Sequence, residues 1–360
     1  MKENTDFRSK NTIPSYFAAS NSGRGFVSYF DKIFTKYGFD KIYIIKGGPG
    51  TGKSSLLKSV RDAAQTRGYL CEGILCSSDP SSYDGVTVSS GNRKIALLDG
   101  TAPHTRDMEI PGAVDELIDL GAFWDPKMLE GKRERIISLI EKKSEAYKCA
   151  YSLLGSAEGY ASYKRKLLYG CLDEEKLSKS VARMLSDFKK NGVKVFSQYK
   201  LKNAISADGY TSLPIYSNEG GVHFAVHGSH GASFAFFDLL VKRSKEKELN
   251  LTLSPSPLSP DIFDAVAISD YGVYFYQTDD ITDIACKTIN TERFLVESRL
   301  REIKPTLRML SRLERSALDS ACKILSRAKE LHFRLEEIYT DAMDFEKKEF
   351  FSKELIKKIL

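Results

Sequence analysis

The sequence predicts an α/β protein made of two similar modules in tandem, each a parallel sheet with flanking helices followed by a long helical appendage. Three observations lead to this prediction. A glycine-rich loop joins the short apolar run 42–45 to a segment with helical character. The order of segments in the first half recurs, in weaker form, in the second half. Each half ends in a long, highly charged segment with apolar residues at helical spacing.

The loop lies in the stretch IYIIKGGPGTGKSSLL, 42–57, and fits the P-loop pattern GxxxxGKS. Its glycines allow successive backbone amides to turn toward phosphate oxygens, because a Cβ would block the turn or the approach. Lys53 is predicted to neutralise the β- and γ-phosphates of ATP, and Ser54 to coordinate Mg²⁺. The predicted nucleotide-binding residues are Gly47, Gly48, Pro49, Gly50, Thr51, Gly52, Lys53, Ser54 and Ser55.

Two carboxylates and a histidine after neighbouring strands extend this predicted site. Asp99 ends the apolar run 95–98, where the edge of a parallel sheet places ligands, and is predicted to hold Mg²⁺ through its water shell. An aspartate that only caps the next turn is the alternative. The chain continues GTAPH, without the glutamate that P-loop ATPases of the AAA and RecA types usually place there. Asp79 and His104 are therefore candidates to position water, and a structural role is the alternative for His104.

The other elements of the first half follow from periodicity and turn signals. A glycine-bearing loop at 21–25 leads into an amphipathic helical pattern over 26–34. The helix after the P-loop extends to about Arg67, and a charged helical segment runs from about 127 to 190 with a break near 170–173. The predicted strands are 42–45, 69–76 and the hairpin arms 86–88 and 95–98.

The second half can be laid over the first in four segments, with Gly228 and Gly231 opposite Gly47 and Gly50. In this match Lys53 becomes Phe234, Ser54 becomes Ala235 and Asp99 becomes Gln277. The stretch opposite Asp79, SPSPLSP, offers no carboxylate. Because these residues are lost together, the second half is predicted to be a pseudo-ATPase that pairs with the first. The predicted division is 1–195 and 196–360, with appendages at about 127–190 and 289–360.

Composition indicates a globular, cytoplasmic protein. The chain has 360 residues, 42% hydrophobic and 28% charged, with a formal net charge of +6 that permits an acidic partner without requiring one. The first residues lack the apolar core of a signal peptide, and no apolar run is long enough to span a membrane. The six cysteines contain no CxxC pair and are interpreted as buried free thiols rather than a disulfide or zinc framework.

Further candidates have weaker support. Arg24 and Arg106 are candidate arginine fingers. A metal site is the less favoured interpretation of His223, His227 and His230, because strand and loop positions do not bring three imidazoles together as a helix would. The appendages are predicted to be helical hairpins that pack on the modules or on each other, and they offer a surface for a protein partner. The alternative is a nucleic-acid arm, based on the basic and aromatic residues Lys142, Lys143, Tyr147, Tyr151, Tyr160, Tyr163, Lys164, Arg165 and Lys166.

The chain resembles a bacterial family of tandem P-loop ATPase-like proteins of undefined biological role. The resemblance covers nearly the full length and is carried by the segments FAASNSGRGF, IIKGGPGTGKSSLL, CSSDPSSYDGV, ALLDGTAPH and PGAVDELIDLG. Members of that family often have two competent P-loops, from which this sequence departs in its second half. The resemblance implies ATP binding by the first half, and it does not imply two working sites.

The sequence thus predicts a Mg²⁺-dependent ATPase in which the first half is active. Two alternatives remain. A P-loop small-molecule kinase would use the same phosphate site with an acceptor hydroxyl, although no compact lid is evident. A switch or scaffold that binds ATP without hydrolysis would use the nucleotide to set the arrangement of the helical arms.

Overall fold

The computed structural model describes residues 13–190, 196–216, 219–278 and 287–360. The fold is α/β, with one six-stranded sheet and one two-stranded hairpin in each half. The strands of the first half are β1 Ser15–Phe17, β2 Ala19–Ser22, β3 Gly25–Ser28, β4 Lys41–Lys46, β5 Leu70–Leu75, β6 Tyr83–Ser90, β7 Arg93–Asp99 and β8 Asp115–Asp119. Its helices are α1 Phe30–Ile33, α2 Lys53–Thr66, α3 Pro126–Gly131, α4 Arg133–Tyr169 and α5 Glu174–Met184.

The second half has the same order of elements, except that among its described residues α1 has no counterpart and one continuous helix takes the place of α3 and α4. Its strands are β9 Ser197–Tyr199, β10 Asn203–Ser206, β11 Gly209–Ser212, β12 Val222–His227, β13 Leu251–Pro255, β14 Phe263–Ile268, β15 Val273–Gln277 and β16 Lys287–Asn290. Its helices are α6 Ser233–Glu246, α7 Glu297–Asp341 and α8 Phe345–Ile359.

The two sheets share one topology. The strand order is β1-β5-β6-β7-β4-β8 in the first sheet and β9-β13-β14-β15-β12-β16 in the second. Both sheets are mixed rather than wholly parallel as predicted, because β6 and β14 run antiparallel to both of their neighbours. In the first sheet the cause is a tight turn between β6 and β7, where Gly91 has a φ of 58°.

Alternation along β4 divides the core of the first half. Ile42 and Ile44 face the side covered by α1 and the β2–β3 hairpin, whereas Tyr43 and Ile45 face the side covered by α2. The second sheet packs α6 on one face through Phe236. In both halves the glycine-bearing loop therefore lies at the carboxyl end of the strand next to the sheet edge, directly before a helix.

The helical appendages pack on each other and exchange their ends. Helices α4 and α7 run antiparallel, since Leu139 packs with Leu335 while Leu154 packs with Ala321. Helix α5 then packs into the core of the second half, and α8 packs into the core of the first half. Each appendage thus supplies the last helix of the other half's core.

Most predicted elements are confirmed, and some are corrected. The strands, the helix α2, the hairpin β6–β7 and the break after α4 lie where the sequence predicted them. The helix predicted over 26–34 is wrong for its first part, because Gly25, with a φ of 89°, turns the chain into the β2–β3 hairpin. Only Phe30–Ile33 is helical. The second appendage begins as a helix at Glu297 rather than near 289, because β16 closes the sheet first.

The five described cysteines are free thiols, and Cys286 lies outside the described residues. Cys71 and Cys171 are buried as predicted, Cys76 and Cys322 are half-buried, and Cys149 is exposed. In the part of the chain that the structure describes, no helix combines the length and apolarity needed to cross a bilayer.

Candidate functional site

The loop 47–52 turns tightly between β4 and α2. Gly47, Gly50 and Gly52 have φ values of 154°, 71° and 78°, which residues with a Cβ rarely adopt. Gly52 is the N-cap of α2 in the left-handed conformation, and no side chain caps this helix end. The first amides of α2 are therefore left to another acceptor, at the positive end of the helix dipole.

Lys53 and Asp99 lie together, as the sequence predicted. The Lys53 Nζ donates to the carbonyl oxygens of Gly47 and Gly48 at 2.9 and 2.8 Å and lies 3.7 Å from Asp99 Oδ2. Asp99 ends β7, which pairs in parallel with β4, so both strands deliver their last residues to one edge of the sheet. This edge is where the cation and the carboxylate of the candidate site meet.

Asp99 is a half-buried carboxylate with a fixed orientation. Its side chain is 13% exposed, and Oδ1 accepts from the Thr101 amide at 2.9 Å and from Thr101 Oγ1 at 2.5 Å. Burial raises the pKa of Asp99, and the charge of Lys53 acts against this rise. The hydrogen bonds from Thr101 leave Oδ2 on the side of Lys53.

The hydroxyl groups of the loop and of the first turn of α2 have different partners. Thr51 Oγ1 donates to the Gly48 carbonyl at 2.9 Å and so braces the turn. Ser54 Oγ accepts from the Tyr83 amide at 3.0 Å, which fixes it beside the start of β6. Ser55 Oγ donates to the Gly52 carbonyl at 2.8 Å, within the first turn of α2.

Helix α7, from the second half, covers the outer side of this loop. A Cβ on Gly50 would lie 2.6 Å from Thr340 Oγ1 and 2.7 Å from the carbonyl oxygen of Glu336. A Cβ on Gly48 would lie 3.3 Å from the ring of Tyr339. The glycines are thus needed for the close approach of α7 as well as for the turn itself, which is a reason for glycine that the motif alone does not give.

Ionisable side chains from α7 and from the connection between β5 and β6 lie near this loop. Asp79 accepts from Ser81 Oγ at 2.9 Å and pairs with Lys329 of α7 at 3.2 Å. Burial raises the pKa of Glu336, while the amide of Gly50 and the charge of Lys53 oppose the rise. A glutamate therefore lies against the loop, although none follows Asp99 in the sequence.

A lysine and a histidine also belong to the cluster of ionisable side chains near loop 47–52. Burial lowers the pKa of Lys143 on α4, whose charged neighbours are Glu336 and Lys53. His332 Nε2 lies 3.5 Å from Glu336 Oε1, and burial followed by the charge of Lys143 lowers the pKa of His332 to about 4. Sequence reasoning missed the roles of these residues because α4 and α7 approach the loop only through the long-range packing of the two appendages.

His104 lies in a closed environment. It is 6% exposed, its Nε2 lies 3.0 Å from Asp84 Oδ2, and its ring contacts those of Phe26 and Phe30, each with centroids 4.9 Å away. Burial lowers the pKa of His104, but the charge and the hydrogen bond of Asp84 together with the charge of Asp99 outweigh burial, so the pKa lies above its ordinary value. This position under the β2–β3 hairpin favours the structural role that the sequence left open.

The matching site of the second half has different chemistry. Ser233 Oγ donates to Gln277 Oε1 at 3.0 Å, where the first half has Gly52 and Asp99. Phe234, opposite Lys53, packs against the apolar core. The loop borders a cavity of about 660 Å³ whose polar lining includes Lys164, Tyr210, His230, Gln277, Ser311 and Arg315.

Both candidate arginine fingers are engaged elsewhere. Arg24 forms ion pairs with Asp261 and with Glu158, the latter at 3.3 Å. Arg106 is buried and donates to Asp31 at 3.1 Å and to the carbonyl oxygen of Phe34 at 2.8 Å. Neither guanidinium can reach a nucleotide at the loop without giving up these partners.

The histidines of the second half, and the basic and aromatic residues of α4, have local partners of their own. His223 Nε2 lies 3.0 Å from the Glu219 carbonyl, and His230 Nδ1 lies 3.3 Å from Ser311 Oγ. Among the described residues, no group of three His, Cys, Asp or Glu side chains is placed to hold a metal ion. Among the basic and aromatic residues of α4, Lys164 is 8% exposed and pairs with Glu314, and Tyr151 donates to Asn21 Oδ1 at 3.1 Å.

Comparison of the chain with protein-family models, with curated proteins and with solved structures finds no match. The interpretation of the site therefore depends on the geometry of these residues and on the motif.

Proposed function

We propose that the first half is a P-loop module that binds ATP with Mg²⁺ at loop 47–52 and hydrolyses it, in a cytoplasmic protein whose second half is a pseudo-ATPase. The observation that carries the proposal is the placement of Lys53 at the uncapped start of α2, 3.7 Å from the half-buried Asp99. A cation, free helix amides and a carboxylate at one sheet edge are the groups that a magnesium–phosphate complex requires.

The donor set fits Mg²⁺. The Ser54 hydroxyl and the Asp99 carboxylate are hard oxygen ligands, and Mg²⁺ typically takes one or two protein carboxylates and completes its shell with water and phosphate. Bound there, Mg²⁺ would offset phosphate charge and orient the terminal phosphate. The fixed position of Asp99, held by Thr101, supports this role without a rearrangement of the strand.

The chain's own residues have distinct roles in this proposal. The loop amides and Lys53 bind the phosphates, and Lys53 exchanges its carbonyl partners, Gly47 and Gly48, for phosphate oxygens. Glu336 or Asp79, both in the cluster at the loop, would orient the attacking water. His104 remains a less favoured candidate, because its imidazole is enclosed and paired with Asp84.

The test is ATP binding and turnover by wild type and Lys53→Ala, each with and without Mg²⁺. We expect Lys53→Ala to lose about 2–3 kcal/mol of binding, roughly a 30- to 150-fold weaker Kd, because it removes a charge-assisted contact. Lys41→Ala is the control, since Lys41 lies at the opposite end of β4 and donates to the Gly112 carbonyl. Unchanged binding and turnover in Lys53→Ala would contradict the proposal.

The switch alternative is favoured by one observation: the close packing of Glu336, Tyr339 and Thr340 over the loop. A nucleotide held by this loop would act directly on the position of α7, and through it on the paired helices. Tight Mg²⁺-dependent ATP binding without release of phosphate would select the switch. Product analysis with labelled ATP separates hydrolysis, which yields free phosphate without an acceptor, from the kinase alternative.

A further inference from the structure

A lysine from the second half lies at the P-loop of the first. Lys348, in the first turns of α8, is 5% exposed, and its Nζ donates to Ser55 Oγ at 3.0 Å. A Cβ on Gly52 would lie 3.2 Å from the same nitrogen. The ammonium of Lys348 therefore lies beside Gly52 and the first turn of α2.

This is an unfavourable place for a cation. The N-terminus of α2 already presents the positive end of a helix dipole, and burial lowers the pKa of Lys348. Within the described ranges, no carboxylate forms an ion pair with Lys348, and the adjacent Glu349 pairs with Lys353 at 3.8 Å. An ammonium has three donors, and among the described residues this one donates to a single hydroxyl and contacts no anion, although the charge of Glu349 partly opposes the lowering of its pKa.

The equivalent helix, α5, supplies an internal comparison. An aspartate caps the N-terminus of each helix. The Lys176 amide donates to Asp173 Oδ1 and the Lys347 amide donates to Asp344 Oδ1, each at 3.0 Å. The residue that follows is Leu177 in α5, which is 5% exposed in the apolar core of the second half. The position accepts an apolar side chain with the same burial, so folding alone does not require the lysine.

The exchange of Lys348 for leucine parallels the other differences between the halves. The half that has Lys53 and Ser54 receives a lysine from the exchanged helix. The half that has Phe234 and Ala235 receives a leucine. The cation is present where Lys53 and Ser54 are present, and it is absent where they are absent. One anionic ligand would account for both.

We propose that Lys348 is a phosphate-binding residue, which α8 of the second half supplies to the nucleotide site of the first half. This inference rests on the proposed function, and it names the class of ligand as a nucleoside polyphosphate held by lysines from both halves. Lys53 contacts the phosphates from the side of Asp99, and Lys348 contacts them at Ser55 and Gly52. The site is then incomplete in a first half without α8.

The test is Lys348→Leu, which places in α8 the residue that α5 has. We expect ATP affinity to fall about ten- to a hundredfold through loss of a charged contact, with a melting temperature no lower than that of wild type because a buried cation is removed. Lys353→Leu, on the exposed side of the same helix, is the control and should bind ATP as wild type does. Inorganic triphosphate, used as a competitor of ATP, should lose affinity by a similar factor, since the lysine contacts phosphate and not the base.

The outcomes separate the two proposals. If Lys53→Ala weakens ATP binding and a folded Lys348→Leu does not, the role of Lys348 is wrong and the proposed function stands. If the wild type binds neither ATP nor triphosphate, both are wrong. Lys348→Met is measured in parallel and decides the question if the leucine variant does not fold.

Discussion

At the scale of single residues, the pair His104–Asp84 links the first sheet to the hairpin above it. Both side chains are at most 9% exposed, and Phe26 and Phe30 enclose the imidazole. In the second half, Asp264 occupies the position of Asp84 and accepts from Asn203 at 2.7 Å and Tyr210 at 2.9 Å. Each half thus satisfies the same buried carboxylate with a different donor.

The raised pKa of His104 predicts a specific dependence of stability on pH. A histidine whose pKa is higher in the folded state contributes stability below its ordinary value of 6.5, and this contribution is lost as pH rises through the folded pKa. Urea unfolding should therefore show wild type losing more stability than His104→Ala between about pH 5.5 and about pH 8.5. At the lower pH, His104→Ala should be less stable by about 3 kcal/mol or more, because Asp84 is left buried without its partner.

His332→Ala is a control of opposite sign for this pH dependence. The pKa of His332 is lowered to about 4, so its imidazole is neutral in the folded state over this pH range but binds a proton in the unfolded chain below its ordinary value of 6.5. Relative to His332→Ala, wild type should therefore gain stability between about pH 5.5 and about pH 8.5. If His104→Ala kept the pH dependence of wild type, the His104–Asp84 ion pair would not be the titrating group.

At the scale of elements, the sequence identified those that carry their own signal. The run 42–45, the glycines of loop 47–52 and the hairpin β6–β7 are encoded by local periodicity and turn chemistry, and they were predicted correctly. The strand β8, Asp115–Asp119, was missed because only Asp115 and Ile118 are buried in a short polar stretch. Pairing with β4 makes it a strand, and pairing is not readable from the segment alone.

The candidate site also has a part that the sequence predicted and a part that it missed. Asp99 ends β7, which pairs with β4, and β4 leads through the loop to Lys53, so the motif and the strand ends were sufficient to bring Lys53 and Asp99 together. Lys143, Glu336 and Lys348 reach the loop through the packing of α4, α7 and α8, which depends on contacts between the halves. One signal for Lys348 was present in the sequence, namely the substitution of leucine by lysine at matched positions of the two appendages.

The exchanged helix α8 predicts where a core mutation acts. Leu355 is 6% exposed and packs in the core cluster of the first half with Leu57 and Val60. Leu355→Ala should lower the free energy of unfolding by about 2–5 kcal/mol, because it leaves a cavity in that core. Phe350→Ala is the control, since Phe350 is 71% exposed, and it should change stability by less than about 0.5 kcal/mol.

Hydrogen exchange locates the effect of Leu355→Ala. Amides of β4 and β7, in the first sheet, should lose protection, although the mutated residue is more than two hundred positions away in the chain. Faster exchange confined to β12 and β15 would instead mean that α8 stabilises its own half.

At the scale of the whole molecule, the two halves are related as the subunits of a symmetric dimer are. The amide of Asp344 donates to the Phe123 carbonyl at 2.9 Å, and the amide of Asp173 donates to the Phe294 carbonyl at 2.8 Å. These matched bonds anchor each exchanged helix next to the last strand of the opposite sheet. The relation explains how a second half without a counterpart of Lys53 still contributes side chains to the loop of the first half.

The turns of the β2–β3 and β10–β11 hairpins also lie at matched positions of the two halves, but they carry opposite charges. In the β2–β3 turn, Arg24 pairs with Glu158 of α4 and with Asp261 of the second half. In the β10–β11 turn, Asp208 lies 3.7 Å from Lys329 of α7, which also pairs with Asp79 of the first half. Opposite signs at matched positions prevent either tip from pairing with the other's partner, so the charges favour a single arrangement of the halves.

The exchange of α5 and α8 also predicts how the chain behaves when it is divided. Residues 1–190 and 196–360, expressed separately, should each fail to unfold cooperatively, because each lacks the helix that closes its core and exposes the helix meant for the other. Mixed together, they should recover one thermal transition and, on the proposed function, ATP binding. A mixture with 196–343, which lacks α8, should not bind ATP. Independent cooperative melting of 1–190 would contradict the interdependence of the halves.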